Sequence, residues 1–234
     1  MTEPRTSTEV IEALRQIDSA TVANAIEHFD VRDPVDGYAS WTLLCQFPKL
    51  APTVGYAITC TADTTTAGDT CPMRLHELLD MIKDAPKPAV LVAQYVGSDR
   101  QRSCLIGDMF AATLQKLGVV GMITELGGRD FRGIEERAPG FQLFCPGSVV
   151  SHGYGVFHDF NLTVSVCGLT VQPGDLLHGD ANGVVHVPTE IAGDVVAQSK
   201  RVLEEEAAFF DFLHSDAYSY EGLKQRMGRK DPIE

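Results

Sequence analysis

One stretch of this chain admits few folds. It opens at Ile106-Gly107-Asp108-Met109, and twenty intervening residues separate Asp108 from the adjacent pair Arg129-Asp130, preceded by Gly127-Gly128. Between the two ends, Phe110, Leu114 and Leu117 recur at helical spacing, Gly118 interrupts, and the β-rich run Val119-Val120-Gly121-Met122-Ile123-Thr124 follows. The pattern predicts a helix opening at Gly107-Asp108, a tight turn at Gly118 and a buried strand. A Gly127-Gly128 loop then delivers Arg129 and Asp130 at the carboxyl end of that strand, where open α/β sheets tend to place their sites. Two carboxylates and a guanidinium can thus meet in one cleft.

The flanking segments read as one α/β domain with helices against a mixed sheet. Thr6-Ser7-Thr8-Glu9 offers a capping box for a first helix bearing Val10, Leu14 and Ile17, and Asp18-Ser19 caps a second. An irregular stretch follows around Asp33-Pro34, Asp36-Gly37 and Phe47-Pro48. Strands are expected over 54–62, 90–93, 142–145, 162–167 and 183–187. The polar run 63–69 reads as a loop and the segment after Pro72 as a helix. A short helical turn is expected after Asp130, and a long helix from about Thr189 to His214. That last helix carries Val195, Val202, Leu203, Phe209, Phe210 and Phe212, which suits either an oligomer contact or packing on the parent sheet.

At 234 residues the chain can bury roughly 70% of its unfolded surface. Its net charge of −13 argues against nucleic acid as a partner and against an anionic membrane surface. An anionic substrate is still admissible where a metal or a local arginine inverts the field. Six scattered cysteines without a Cys-x-x-Cys point to buried apolar thiols in a reducing compartment. With no apolar leader at Met1–Arg5 and no membrane-spanning run, a cytoplasmic protein is expected.

Taken alone, Asp108 suits a helix cap and Arg129-Asp130 a surface ion pair. Together, in order and followed by a second signature, they resemble the RraA-like family. That second signature is Val171-Gln172-Pro173-Gly174-Asp175, then His178-Gly179-Asp180-Ala181-Asn182-Gly183-Val184-Val185. The family includes divalent-metal class II pyruvate aldolases acting on 4-hydroxy-4-methyl-2-oxoglutarate and 4-carboxy-4-hydroxy-2-oxoadipate, and the likeness covers roughly residues 15–200. It implies a single layered β/β/α swivelling-type domain over residues 1–234, with a long C-terminal helix and arm from about 189. It also implies Asp130 as the carboxylate beside Mg²⁺ or Mn²⁺, Arg129 as the cation beside a pyruvate enolate, and Asp108 as the residue ordering metal-bound water. The amides of Met109, Phe110 and Ala111, at a helix start, offer a site for the substrate carboxylate together with Arg129.

The resulting expectation is a lyase cleaving a 4-hydroxy-2-oxo acid to pyruvate and a carbonyl compound, with oxaloacetate decarboxylation through the same enolate. The alternative is a non-catalytic RraA-like regulator that binds an RNA-processing protein. The resemblance implies a homotrimer or hexamer. The chain departs from many relatives at Glu125-Leu126, where they carry Asp-Gly, and at Asn24, where they often carry Asp. Asp175 and Asp180 are expected to serve turn and strand-end hydrogen bonds. His152, His158, His178 and His186 lack metal-knuckle spacing; His152 or Tyr154 at the substrate mouth would supply a proton or hydrogen bond.

Overall fold

The runs 53–63, 89–95 and 119–124 are buried almost throughout, as strands covered on both sides are. They lie side by side at the centre of the sheet. The computed structural model describes residues 6–67 and 72–228. Met1–Arg5, the far end of the 63–69 loop, Cys71, Arg229 and Lys230 lie outside them.

In chain order the elements are α1 (Thr8–Leu14), α2 (Ser19–Glu27), β1 (Leu44–Cys45), β2 (Thr53–Asp63), α3 (Pro72–Asp84), β3 (Ala89–Tyr95), β4 (Cys104–Ile106), α4 (Asp108–Lys116), β5 (Val119–Thr124), β6 (Gly127–Gly128), α5 (Phe131–Arg137), β7 (Gln142–Cys145), β8 (Val156–Phe160), β9 (Val164–Val166), β10 (Leu169–Val171), β11 (Leu176–Asp180), β12 (Gly183–Val187), α6 (Ala192–His214) and α7 (Tyr220–Gly228). The main sheet runs β1-β7-β5-β3-β2-β11-β12, with β8 also paired to β2. β2, β3, β5 and β7 are mutually parallel, and β1, β8, β11 and β12 pair antiparallel. The segment from Tyr38 to Cys45 bridges Val185 of β12 at one end and pairs with β7 at the other, so the sheet nearly closes on itself.

Alternation along the central strands divides their side chains between layers. Ile58, Cys60, Leu91, Ala93 and Met122 pack outward on Leu78 and Ile82 of α3, Leu114 of α4 and Ile134 of α5. Ala57, Val90, Val92 and Ile123 point inward against Val164, Val166, Leu169 and Val171 of the β9–β10 hairpin. A third cluster joins α1, α2 and the first half of α6 to Val54, Tyr56, Leu176 and Val187. The result is the layered β/β/α arrangement with a long C-terminal helix that the resemblance implies.

Some local expectations shift. Ser7, not Thr6, caps α1 by accepting from the Val10 amide at 3.3 Å, and Ile17 lies beyond that helix. The strand expected over 162–167 is the shorter β9, turned back into β10 through Cys167 and Gly168, both at positive φ. The turn after Asp130 is a seven-residue helix, and the arm carries α7. Phe212 of α6 packs on Tyr218 and stacks under Arg226 of α7, which covers part of the apolar surface read as an oligomer contact. Leu203 and Phe210 stay exposed. Among the described residues no helix is long and apolar enough to cross a membrane.

Two buried polar groups tie the N-terminal helices to the β11–β12 hairpin. Asp180 accepts from the Ser19 amide at 2.8 Å, the Ser19 hydroxyl at 2.6 Å and the Asn182 amide at 2.8 Å. His178 donates its Nε2–H between the carbonyls of Leu14 at 3.0 Å and Ile17 at 2.9 Å, while its Nδ1 has no partner. Asp175 closes its turn by accepting from the Gln172 amide at 2.7 Å.

Burial holds His178 below the ordinary histidine value of 6.5, outweighing the neighbouring carbonyls and Asp180, which act the other way. The unfolded chain therefore takes up the proton first, so acid favours unfolding. This contribution is complete above pH 6.5 and is lost as pH falls from there toward the depressed folded value. Urea midpoints should drop between about pH 7.5 and about pH 5.5. A His178→Leu variant should start lower, having lost two hydrogen bonds, but show a flatter pH dependence. His186, also depressed by burial, keeps the residual slope. An unchanged slope in the variant would contradict this account.

Candidate active site

The site is made by a second, two-stranded sheet. β4 pairs in parallel with β6, placing Cys104 opposite Gly127 and Ile106 opposite Gly128. The Arg129 amide then donates to the Ile106 carbonyl at 2.9 Å. Gly128 is required by close packing, since a Cβ there would lie 2.7 Å from the Phe131 ring and 2.9 Å from Leu143. Immediately after this ribbon the two motifs emerge side by side: Gly107-Asp108 into α4 and Arg129-Asp130 into α5.

Asp130 takes the left-handed conformation, φ 55 and ψ 36, at the cap position of α5. Its carbonyl accepts from the Ile134 amide at 2.8 Å, but its carboxylate makes no capping bond. That carboxylate turns back toward its neighbour, with Oδ2 3.4 Å from Arg129 Nε, and both side chains are substantially exposed. A non-glycine residue in this region carries backbone strain of about 1–3 kcal/mol, a cost that recurs at functional sites.

Asp108 is held differently. Its Oδ1 accepts from the Met109 amide at 2.7 Å and its Oδ2 from Arg137 Nη1 at 2.7 Å. The helix cap is Gly107, so Asp108 is the first helical residue. Of the three amides expected to cradle a carboxylate, Met109 donates to Asp108 and Ala111 to the Gly107 carbonyl at 3.0 Å. An anion at this helix start would meet the Phe110 amide and compete for the other two.

A cavity of about 140 Å³ opens here, lined among others by Gly107, Asp108, Phe110, Arg129 and His152. Asp130 is not part of the lining, but its carboxylate lies beside two residues that are, Gly107 and Arg129. Cys104 forms part of the wall; burial pushes its thiol up, Arg129 only partly opposing, so it stays a neutral apolar side chain rather than a nucleophile.

The other candidates go elsewhere. Glu125 is bonded to Arg100 at 3.0 Å and lines a separate cavity of about 320 Å³ with Thr42, Ser148 and Cys167. His178 is in the helix-sheet core, His186 lies 3.8 Å from Asp175, and His158 is exposed on β8. Tyr154 is half exposed and does not line the site cavity. Arg137 escaped sequence reasoning because α5 is too short to show a periodic pattern; only its distance of two helical turns from Asp130 hinted that it returns to the site.

Among the described residues no group of three or more His, Cys, Asp or Glu side chains is arranged to hold a metal ion. Asp130 offers one open carboxylate. That suits Mg²⁺, which keeps several waters and commonly binds through one or two carboxylates plus substrate oxygens.

Comparison with known proteins agrees with the sequence resemblance. The model of the RraA-like family, described as Aldolase/RraA, matches residues 19–186. An uncharacterized protein of Methanocaldococcus jannaschii is 30% identical over 122 residues, 51% of this chain and 57% of that protein. A Halalkalibacterium halodurans protein named "Putative 4-hydroxy-4-methyl-2-oxoglutarate aldolase" is 29% identical over 134 residues, 51% of this chain and 61% of its own length. The chain thus spans only about three-fifths of these curated relatives. Among solved structures, an uncharacterized Pseudomonas syringae protein superposes with a TM-score of 0.73 at 21% identity, covering 95% of this chain and 94% of that one. Streptomyces coelicolor RraAS2, described as an unusual member of the RNase ES inhibitor RraA family, superposes with a TM-score of 0.67 at 23% identity, covering 87% and 98%. Both show the same fold.

The close approach at Gly107 gives a test of the geometry. A Cβ there would stand 2.9 Å from Asp130 Oδ2 and 3.2 Å from Arg129 Nε, both in side chains that can shift. Gly107→Ala is expected to leave the circular dichroism spectrum intact and shift Tm by only a few degrees, as about 1 kcal/mol does in a chain this size. Turnover should fall at least tenfold as the pair is pushed aside. Full turnover in the folded variant would show that the arrangement does not serve the chemistry.

Proposed function

Because the chain belongs to the RraA-like family, we propose that it is a lyase: a divalent-metal-dependent aldolase that cleaves a 4-hydroxy-2-oxo acid to pyruvate and a carbonyl compound. The observation carrying this reading is that the β4–β6 ribbon brings Asp108 and Arg129 to one small cavity, with the Asp130 carboxylate beside Arg129. At about 140 Å³ the cavity is well below the roughly 300–1,000 Å³ of drug-sized sites, so it suits a short acid rather than a polymer.

Cleavage leaves negative charge on the oxygen of the departing pyruvyl unit, and fixed positive charge placed there lowers the barrier. Arg129 supplies that charge permanently, in a planar fork matched to carboxylate and enolate oxygens. The Phe110 amide adds a neutral donor on the same wall. Asp108, accepting from Met109 and Arg137, ties the start of α4 to α5 and so holds this wall in place. Mg²⁺ or Mn²⁺ at Asp130 would supply Lewis-acid polarisation of the 2-oxo group. Oxaloacetate decarboxylation belongs to the same proposal, because loss of carbon dioxide leaves the same enolate. So does assembly into a trimer or a pair of trimers.

The test is pyruvate release from 4-hydroxy-4-methyl-2-oxoglutarate and from oxaloacetate, with Mg²⁺, with chelator, and in Asp130→Ala and Arg129→Ala. Both activities should need the metal, and each variant should lose about 100-fold or more. Undiminished turnover in Asp130→Ala, or activity indifferent to chelator, counts decisively against the reading. No release from either substrate, with a ribonuclease complex recovered on the folded protein, would favour the regulator.

A further inference from the structure

The segment Ser151–Gly155 is exposed, yet it is tied firmly to the site. The Tyr154 amide donates to the Thr64 carbonyl at 2.9 Å. Gly153, at φ +57, lies so close that a Cβ would stand 1.8 Å from the same carbonyl oxygen. Thr64 is itself buried, and its hydroxyl accepts from the Cys104 amide at 2.9 Å. Asp63 fixes the adjoining turn by accepting from the Thr65 amide at 2.7 Å and the Thr65 hydroxyl at 2.9 Å. The segment is thus fastened, through Thr64, to the strand that leads into Gly107-Asp108.

His152 rides on this strap and lines the cavity with Asp108 and Arg129. Its Nδ1 lies 2.8 Å from the Gly153 carbonyl, which can only accept, so Nδ1 carries the proton and the neutral ring's lone pair is on Nε2. Of the other polar side chains here, Asp130 has an open acceptor, but that carboxylate is the one assigned to the metal. Asp108 is occupied by two donors, Arg129 has no lone pair to offer, and Cys104 stays protonated.

We propose that His152 is a catalytic residue of the aldol cleavage: the base that takes the proton from the substrate's 4-hydroxyl. The assignment rests on the aldolase reading above. Nε2 accepts the hydroxyl proton, the O–H electron pair becomes the second bond of the new C4 carbonyl, and the C3–C4 bond breaks. Its electrons pass into the C2–C3 enolate, whose oxygen carries the negative charge beside Arg129. A proton from solvent on C3 completes pyruvate, and His152 returns its own proton to solvent, so none is gained or lost overall.

This separates two reactions that otherwise share the site. Oxaloacetate loses carbon dioxide without surrendering a hydroxyl proton and has no need of the base. His152→Ala and His152→Gln should lower kcat for cleavage of 4-hydroxy-4-methyl-2-oxoglutarate by about 10²–10⁴-fold. Oxaloacetate decarboxylation should stay within about threefold of the parent, as should KM for the hydroxy acid. Equal losses in both reactions would make His152 a binding or structural residue, and unchanged cleavage would remove it from the mechanism; either overturns the proposal. Arg129→Ala, by contrast, should lose both activities. If the parent protein has neither, the aldolase reading itself fails and this assignment falls with it.

Discussion

The site depends on a parallel pairing of three residues with two. The Gly127 amide donates to the Ser103 carbonyl and the Arg129 amide to the Ile106 carbonyl, both at 2.9 Å. On its other edge Gly128 exchanges hydrogen bonds with Gly147 at 3.0 Å and Val149 at 2.9 Å. Each bond is worth only about 1 kcal/mol net, but here the bonds also fix register. Slip β6 by one residue and its side chains change faces, which would put Arg129 on the far side of the ribbon from Asp108. The two glycines permit the pairing because their neighbours occupy the space a side chain would need: Val149 beside Gly127, and Phe131 with Leu143 beside Gly128.

This dependence explains what the sequence could and could not disclose. α4 and β5 were legible because each is long enough for its apolar spacing to show and Gly118 marks the turn between them, and β7 because Leu143-Phe144-Cys145 is an unbroken apolar run. The proximity of Asp108 to Arg129-Asp130 followed from that frame. β4 and β6 were not legible. Two or three residues carry no alternation, and Gly127-Gly128 has the composition of a loop. Their pairing is set by close packing from residues far along the chain, which no local pattern records. β8, β10 and β11 were hidden for a related reason: they are short antiparallel partners with mixed polarity, organised by β2 and by turns at Gly168 and Gly174.

The same limit applied to chemistry. Four histidines within thirty-five residues looked like one cluster, but the topology disperses them. His178 became a buried tie between β11 and the end of α1, and His152 alone reached the cavity. What distinguished the two was tertiary: a strap anchored on Thr64 in one case, a pair of helix-end carbonyls in the other.

The two aspartates of the site illustrate how local partners divide labour between identical groups. Asp108 receives a charge-assisted bond from Arg137 and an amide bond, both at 2.7 Å, which is the short end for such contacts. Drawing it away to a new partner would leave the Arg137 guanidinium and the α4–α5 junction without their bond. Asp130 has only the off-axis Arg129 Nε at 3.4 Å and ample exposure. Its lone pairs are the ones free to meet a cation and bound water. In a chain of net charge −13 such a carboxylate repels an anionic substrate unless something intervenes. Arg129 beside it opposes that field, and the proposed divalent ion would reverse it. The strained left-handed backbone of Asp130 keeps that carboxylate beside Arg129 instead of letting it cap its own helix.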